Sequence, residues 1–170
     1  MYHSLRGSPD MLHFCEWLEK NPWIVALDSS IVISLILEIL HYSGFFLLVG
    51  TTVVVDLRVM GLAGRREPAP QFARQLFPWM WTGLGMAVVS GFFMFAADAP
   101  DFYLAGVFRI KMLVVLLAIL FGVFVHWKVP AWSQLPAIPA GAKLVAFLSL
   151  ALWIGAILAA VEVPAISGVG

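Results

Sequence analysis

Four runs of apolar residues alternate with short polar or proline-rich stretches, at about residues 31–55, 77–97, 103–127 and 142–163. Runs of this length read as membrane-spanning helices, because ~20 apolar residues cross a bilayer core. Ahead of them, Met11, Phe14, Cys15 and Leu18 recur at helical spacing among Asp10, Glu16, Glu19 and Lys20. That pattern predicts an amphipathic helix over about residues 9–20, too polar to span and suited to the bilayer surface. Ser8-Pro9-Asp10 reads as its start: a Ser cap, Pro in the first helical position and an acid in the first turn. Asn21-Pro22 breaks it, and Trp17 and Trp23 suit an interface. Trp23 to Ser29 forms either another interfacial turn or the lead into the first span. Asp98-Ala99-Pro100-Asp101 reads as a tight acidic turn, and VPAWSQLPAIPAG as a linker that ends the third helix. The expected fold is all-α: an interfacial segment over residues 1–29 and a four-helix transmembrane bundle over residues 30–165.

Composition agrees. With 62% hydrophobic and 12% charged residues, the chain is no ordinary soluble domain. Its formal net charge of zero argues for no nucleic-acid partner. Cys15 is the only cysteine, which excludes an internal disulfide and a multi-cysteine metal site. The N-terminal stretch lacks the apolar core and cleavage site of a signal peptide, so the first span is expected to act as its own membrane signal. Arg58, Arg65, Arg66, Arg74, Lys128 and Lys143, against Glu67, fall at one end of the spans. Asp10, Glu16, Glu19, Asp28, Asp98, Asp101 and Glu162, against Arg6 and Lys20, fall at the other. The positive-inside rule then puts both termini on the periplasmic side of a bacterial inner membrane.

Ionisable residues within spans are costly in lipid, so each is a candidate for function. Glu38 and His41 sit in the first span. At ~1.5 Å per residue, His41 lies ~15 Å below the outer end and Glu38 one turn shallower on nearly the same face. Arg109 and Lys111 lie within about two turns of the outer end of the third span, level with Glu38. A carboxylate and two cations at one depth are expected to pair, pinning the first span to the third. His126 lies ~20 Å from His41 in depth, so no haem is clamped between those histidines. It is nearer Asp56 and Arg58, and these three form a second, inner polar cluster or simply helix-end charges at the headgroups.

Imidazole is an axial ligand for haem iron, which makes His41 the candidate metal ligand. Met86 of the second span falls at its depth, so a His/Met haem b with propionates towards Arg109 and Lys111 is one reading. A five-coordinate haem on His41 alone is another, and Met86 as core filler a third. Met86, Met94 and Met112 are too scattered for a copper motif. Proton transfer through Glu38 and His41 is a further use. Gly83, Ala87 and Gly91, and likewise Ala151, Gly155 and Ala159, repeat every four residues. Such small-residue stripes mark helix interfaces or make room for a flat cofactor. No zinc-protease pair, phosphate-binding glycine loop or nucleophile elbow occurs, so no catalytic residue is assigned.

Taken together, Glu38-x-x-His41-x-x-Gly44, Gly50, Asp56-Leu57-Arg58, Gly61, Pro78-Trp79, Phe108-Arg109-x-Lys111 and His126 resemble an uncharacterised family of bacterial four-helix membrane proteins, a domain of unknown function. The resemblance covers about residues 10–160 and implies the same fold. A vaguer likeness, to copper-resistance-D-type proteins and small b-type cytochromes, rests on a transmembrane histidine near glycines and on Trp153-Ile154-Gly155. The expected function is a non-catalytic membrane subunit of an electron-transfer or energy-converting complex. Its outer-half site of His41, Glu38, Arg109, Lys111 and Met86 would bind haem b or a quinone-like molecule. Its partners would be the lipid bilayer and either other membrane subunits or further copies of the chain. The alternatives are a small proton or copper-type metal transport or resistance protein and a scaffold subunit of a pigment or respiratory assembly.

Overall fold

The four apolar runs form four long helices in a computed structural model that describes residues 8–63, 69–135 and 137–167, with backbone alone at 69–70 and 159–167. These are α3 (Ile31–Met60), α4 (Ala69–Ala97), α6 (Gly106–Trp132) and α7 (Ala140–Ser167). Each contains a stretch long and apolar enough to cross a membrane. The short helices α1 (Pro9–Glu19), α2 (Pro22–Asp28) and α5 (Ala99–Leu104) gather at the end where α3 begins and α4 finishes. We call this the α1 end and the opposite end the loop end. Arg65, Arg66, Glu67 and Arg6 lie outside the described residues, as does the Glu162 side chain.

Several boundaries differ from those expected. Trp23 to Ser29 is mostly a separate helix, α2, and the Asn21 side chain caps it by accepting from the Trp23 amide at 3.0 Å. Ser8 holds the cap position of α1 without a side-chain bond. Three of the four residues of the expected acidic turn, Ala99 to Asp101, are the start of α5, and Asp98 holds its cap position. α3 runs on to Met60 and stops at Gly61, whose φ of 81° is a conformation glycine adopts without strain. α4 starts at Ala69 and passes through Pro78. α6 does not end before the proline-rich stretch but passes through Pro130 to Trp132. Pro130 sits in the last turn, where only the helical bond to the His126 carbonyl is lost. Beyond it the Ser133 amide and hydroxyl both donate to the Val129 carbonyl, at 3.0 and 2.7 Å.

α3 packs most extensively on α4, and α6 on α7; contacts of α3 with α7 and of α4 with α6 close the bundle. Its core has three levels. Val55, Val59, Ala73, Val125, Val129 and Ala146 fill the loop end. Leu48, Met80, Ala118, Trp153 and Ala156 fill the middle. Cys15, Leu18, Ile24, Ala96 and Ala99 cap the α1 end. The α1 helix thus divides its apolar residues, with Cys15 and Leu18 turned to the bundle and Met11, Phe14 and Trp17 turned outward. The outer faces of the long helices carry Ile36, Ile39, Leu113, Leu120 and Phe147 exposed, as a lipid solvent allows and water does not.

Asp98, between α4 and α5, lies near two like charges. Partial burial raises its carboxyl above the usual range, and Asp28 and Asp101 raise it further. A carboxyl held higher in the folded than in the unfolded chain favours folding while protonated, and that contribution is lost as pH rises from the unfolded value through the folded one. Asp98→Asn is therefore expected to raise the thermal midpoint at neutral pH and to flatten its decline across that window. A pH profile identical to that of the parent protein contradicts this.

Candidate functional site

Glycines bring α3 and α4 into backbone contact. A Cβ built on Gly83 would lie 2.6 Å from the Leu48 nitrogen and 2.7 Å from the Gly44 carbonyl oxygen. One on Gly44 would lie 2.7 Å from both the Ala87 nitrogen and Met86 Cβ. The Gly83-Ala87-Gly91 stripe is therefore an interface within the bundle. Towards the α1 end the same stripe receives an imidazole: a Cβ on Gly91 would stand 2.8 Å from His41 Cε1 and 3.0 Å from Nδ1. His41 Nδ1 is 3.0 Å from the Ala87 carbonyl oxygen. A carbonyl only accepts, so Nδ1 carries the proton and donates it, and Nε2 is left with its lone pair. The Ser90 hydroxyl lies 3.3 Å from the same Nδ1 and donates to the Met86 carbonyl. Beside it, Leu37, Leu40, Gly85, Met86, Val89 and Ser90 line an open apolar groove of about 310 Å³.

Of the five residues expected at the outer site, the structure sets His41 and Met86 along the α3–α4 seam. Lys111 is half-buried and near enough for its charge to act on His41. Glu38 and Arg109 are exposed on the outside of the bundle. The expected pairing of Glu38 with Arg109 and Lys111 is absent; among the described residues the ion pair formed is Lys20 with Glu16, at 3.9 Å. The reason is rotational. Three residues along a helix leave Glu38 about 60° around the axis from His41. The face centred on His41, Gly44 and Leu48 belongs to α4, so Glu38 falls past its edge. Depth alone had matched the charges.

The haem readings divide on the same geometry. Met86 lies in the α3–α4 seam with its Cβ against Gly44. Backbones in contact leave no slot for a porphyrin between Met86 and His41, so the residues do not fit a His/Met-ligated haem. The open Nε2 fits a single axial ligand. Among the described residues no three His, Cys, Asp or Glu side chains gather as a metal site.

A second polar site lies towards the loop end, where α3, α6 and α7 meet. Asp56 is 1% exposed and His126 5%. Neither is a helix-end charge at the headgroups. Ser149 and Trp153 of α7 are fully buried beside them. Thr52 and Asp56, Gly122 and His126, and Ser149 and Trp153 are each four residues apart, so each pair shares one helix face. A Cβ on Gly122 would lie 3.1 Å from Thr52 Cγ2 and 3.8 Å from Trp153 Nε1, which puts the three faces in one seam. The His126 ring also packs against Phe77 of α4, tilted by 45° with 5.4 Å between ring centres. Arg58 Nη1 donates to the Ala63 carbonyl at 3.4 Å.

Ser149 and Trp153 were not expected as site residues. On α7 the buried face is Ala142, Ala146, Ser149, Trp153 and Ala156. The Ala151-Gly155-Ala159 stripe is not that face: Ala151 is exposed, a Cβ built on Gly155 would meet only Val114 at 3.7 Å, and the Ala159 side chain lies outside the described residues. The spacing of Ser149 and Trp153 was the available signal, but nothing in the sequence directs it inward.

Fold and sites together define a small polytopic membrane protein, a four-helix bundle with ionisable groups inside it. The chain belongs to the family of unknown function DUF6644, whose model matches residues 15–163, in agreement with the resemblance to an uncharacterised family. Comparison with curated proteins and with solved structures gives no match.

Proposed function

We propose that this protein is a non-catalytic subunit of an electron-transfer or other energy-converting complex of the bacterial cytoplasmic membrane, and that its α1-end half binds a lipid-soluble, quinone-like molecule at His41. The observation that supports this reading is the anchoring of His41 Nδ1 on the Ala87 carbonyl at 3.0 Å beside an apolar groove open between α3 and α4. The bond to Ala87 sets the tautomer and ring orientation, leaving Nε2 to accept from a quinol hydroxyl. The groove offers apolar surface to a ring and tail arriving from lipid. The charge of Lys111 favours a ligand oxygen that gains electron density. In this reading the periplasm lies at the α1 end, which the position of Arg58, Arg74, Lys128 and Lys143 towards the loop end favours.

The open Nε2 lone pair also favours a second reading, a five-coordinate haem b held by His41 alone. Lipid extraction and absorption spectroscopy of the purified protein separate the two. Copurifying quinone that falls about tenfold in His41→Ala, the worth of a hydrogen bond of ~1.4 kcal/mol, supports the first reading. A Soret band lost in His41→Ala replaces it with the second. A colourless protein with no quinone above that in its bulk lipid sinks both.

A further inference from the structure

Six polar atoms in the seam of α3, α6 and α7 close no hydrogen bond within the protein: both Asp56 carboxyl oxygens, both His126 ring nitrogens, Ser149 Oγ and Trp153 Nε1, although the His126 ring lies within interacting range of the Ala73 and Gly122 backbone. The Ser149 hydroxyl is within interacting range of the Asp56 carboxyl but does not close a bond to it. An isolated orphan of this kind costs roughly 1–3 kcal/mol, more if charged, and a bundle in lipid has no bulk water to relieve it. Clustered orphans on three facing helices therefore mark the place of a small polar ligand.

The donor set selects that ligand. Trp153 Nε1 can only donate, so it is badly placed against a metal cation. The Asp56 oxygens accept, the Ser149 hydroxyl does both, and a neutral imidazole offers one donor and one acceptor. Water alone matches all of these, because it accepts from Trp153 and donates to Asp56 or His126. Along the bundle, Val59 and Val129 pack towards the loop end and Leu48 and Ala118 towards the α1 end.

We infer that Asp56, Ser149, Trp153 and His126 enclose internal water and form a proton-exchange site, in which Asp56 and His126 are the two stations and Ser149 and Trp153 position the water between them. In the transfer the carboxyl O–H bond breaks, its electron pair stays on the carboxylate, the water passes a proton on, and an N–H bond forms on the imidazole. The reverse step restores both groups. Among the described residues the other charged groups near this end of the packed helices are Arg58, Arg74, Lys128 and Lys143. On α3, Arg58 reaches to the Ala63 carbonyl; on α4, Ala73 and Phe77 pack there and Arg74 is exposed; Lys128 of α6 and Lys143 of α7 are exposed. The inference is independent of any ligand at His41.

Infrared difference spectra of the full chain in lipid nanodiscs, recorded across a pH step, test it. The expected spectrum holds a carboxylic-acid C=O band lost in Asp56→Asn, together with imidazole ring bands lost in His126→Gln. Ser149→Ala keeps the carboxyl and removes one hydroxyl, so it should shift the band, and it remains readable if Asp56→Asn does not fold. A band that neither Ser149→Ala nor His126→Gln moves overturns the coupling. So does a thermal midpoint that rises with sodium at constant ionic strength and loses that rise in Ser149→Ala, which would make the site a cation site.

Discussion

Trp153→Ala is expected to destabilise the protein by about 3–5 kcal/mol, the usual cost of deleting a large buried aromatic ring. Trp153 is the largest fully buried side chain and stands where α3, α6 and α7 converge. The Phe45 ring meets it edge-on with centroids 6.1 Å apart, and Leu48 and Ala118 pack in the same level of the core. Its neighbours cannot easily collapse into the space. Gly122 and Ala118 have little side chain to move, and α3 is held on its other side by the glycine contact with α4. The thermal midpoint in detergent should fall on the order of 10 °C. Trp153→Phe keeps most of the packing and removes the N–H donor, so it should cost clearly less while still altering the infrared signature of Asp56. A loss below about 1 kcal/mol in Trp153→Ala would mean that the indole does not hold the three helices together.

The second large effect is at Gly83. The added methyl of Gly83→Ala would lie 2.6 Å from the Leu48 nitrogen and 2.7 Å from the Gly44 carbonyl oxygen. Both are backbone atoms, so no rotamer change relieves the clash and the helices must separate. Overpacking of this kind costs about 1–3 kcal/mol or more. The same step should loosen the His41–Ala87 bond and lower ligand retention, because Ala87 lies one turn along the same interface. Gly85 is the control. A Cβ there meets nothing within 4 Å, and alanine is the better helix former by up to about 1 kcal/mol. Opposite signs for two substitutions two residues apart would be hard to obtain from any other packing of α3 on α4. Equal thermal midpoints for the two variants would show that the contact is not close.

Much of this architecture is legible in the sequence. The four spans and the α1 helix follow from run length and spacing, and Gly83, Ala87 and Gly91 announced an interface. Their boundaries were less legible. Pro130 reads as a helix breaker, yet in a last turn it removes a single bond, so α6 continues past it. The polar sites were half legible. His41, Asp56 and His126 stood out because an ionisable residue in an apolar run has a cost that needs a reason. Glu38 stood out equally, and the structure turns it outward.

That division has one physical cause. Position along a helix axis is set by residue count at ~1.5 Å per residue, so the sequence by itself determined how deep each group lies and which groups share a level. Rotation about the axis is set by which helix packs on which. In water an apolar stripe would reveal it, but in lipid the outward face is as apolar as the inward one. The tertiary structure alone therefore decided that His41 faces Gly91 and Ala87, that Glu38 and Arg109 face outward, and that Ser149 and Trp153 are buried in one seam with Asp56 and His126.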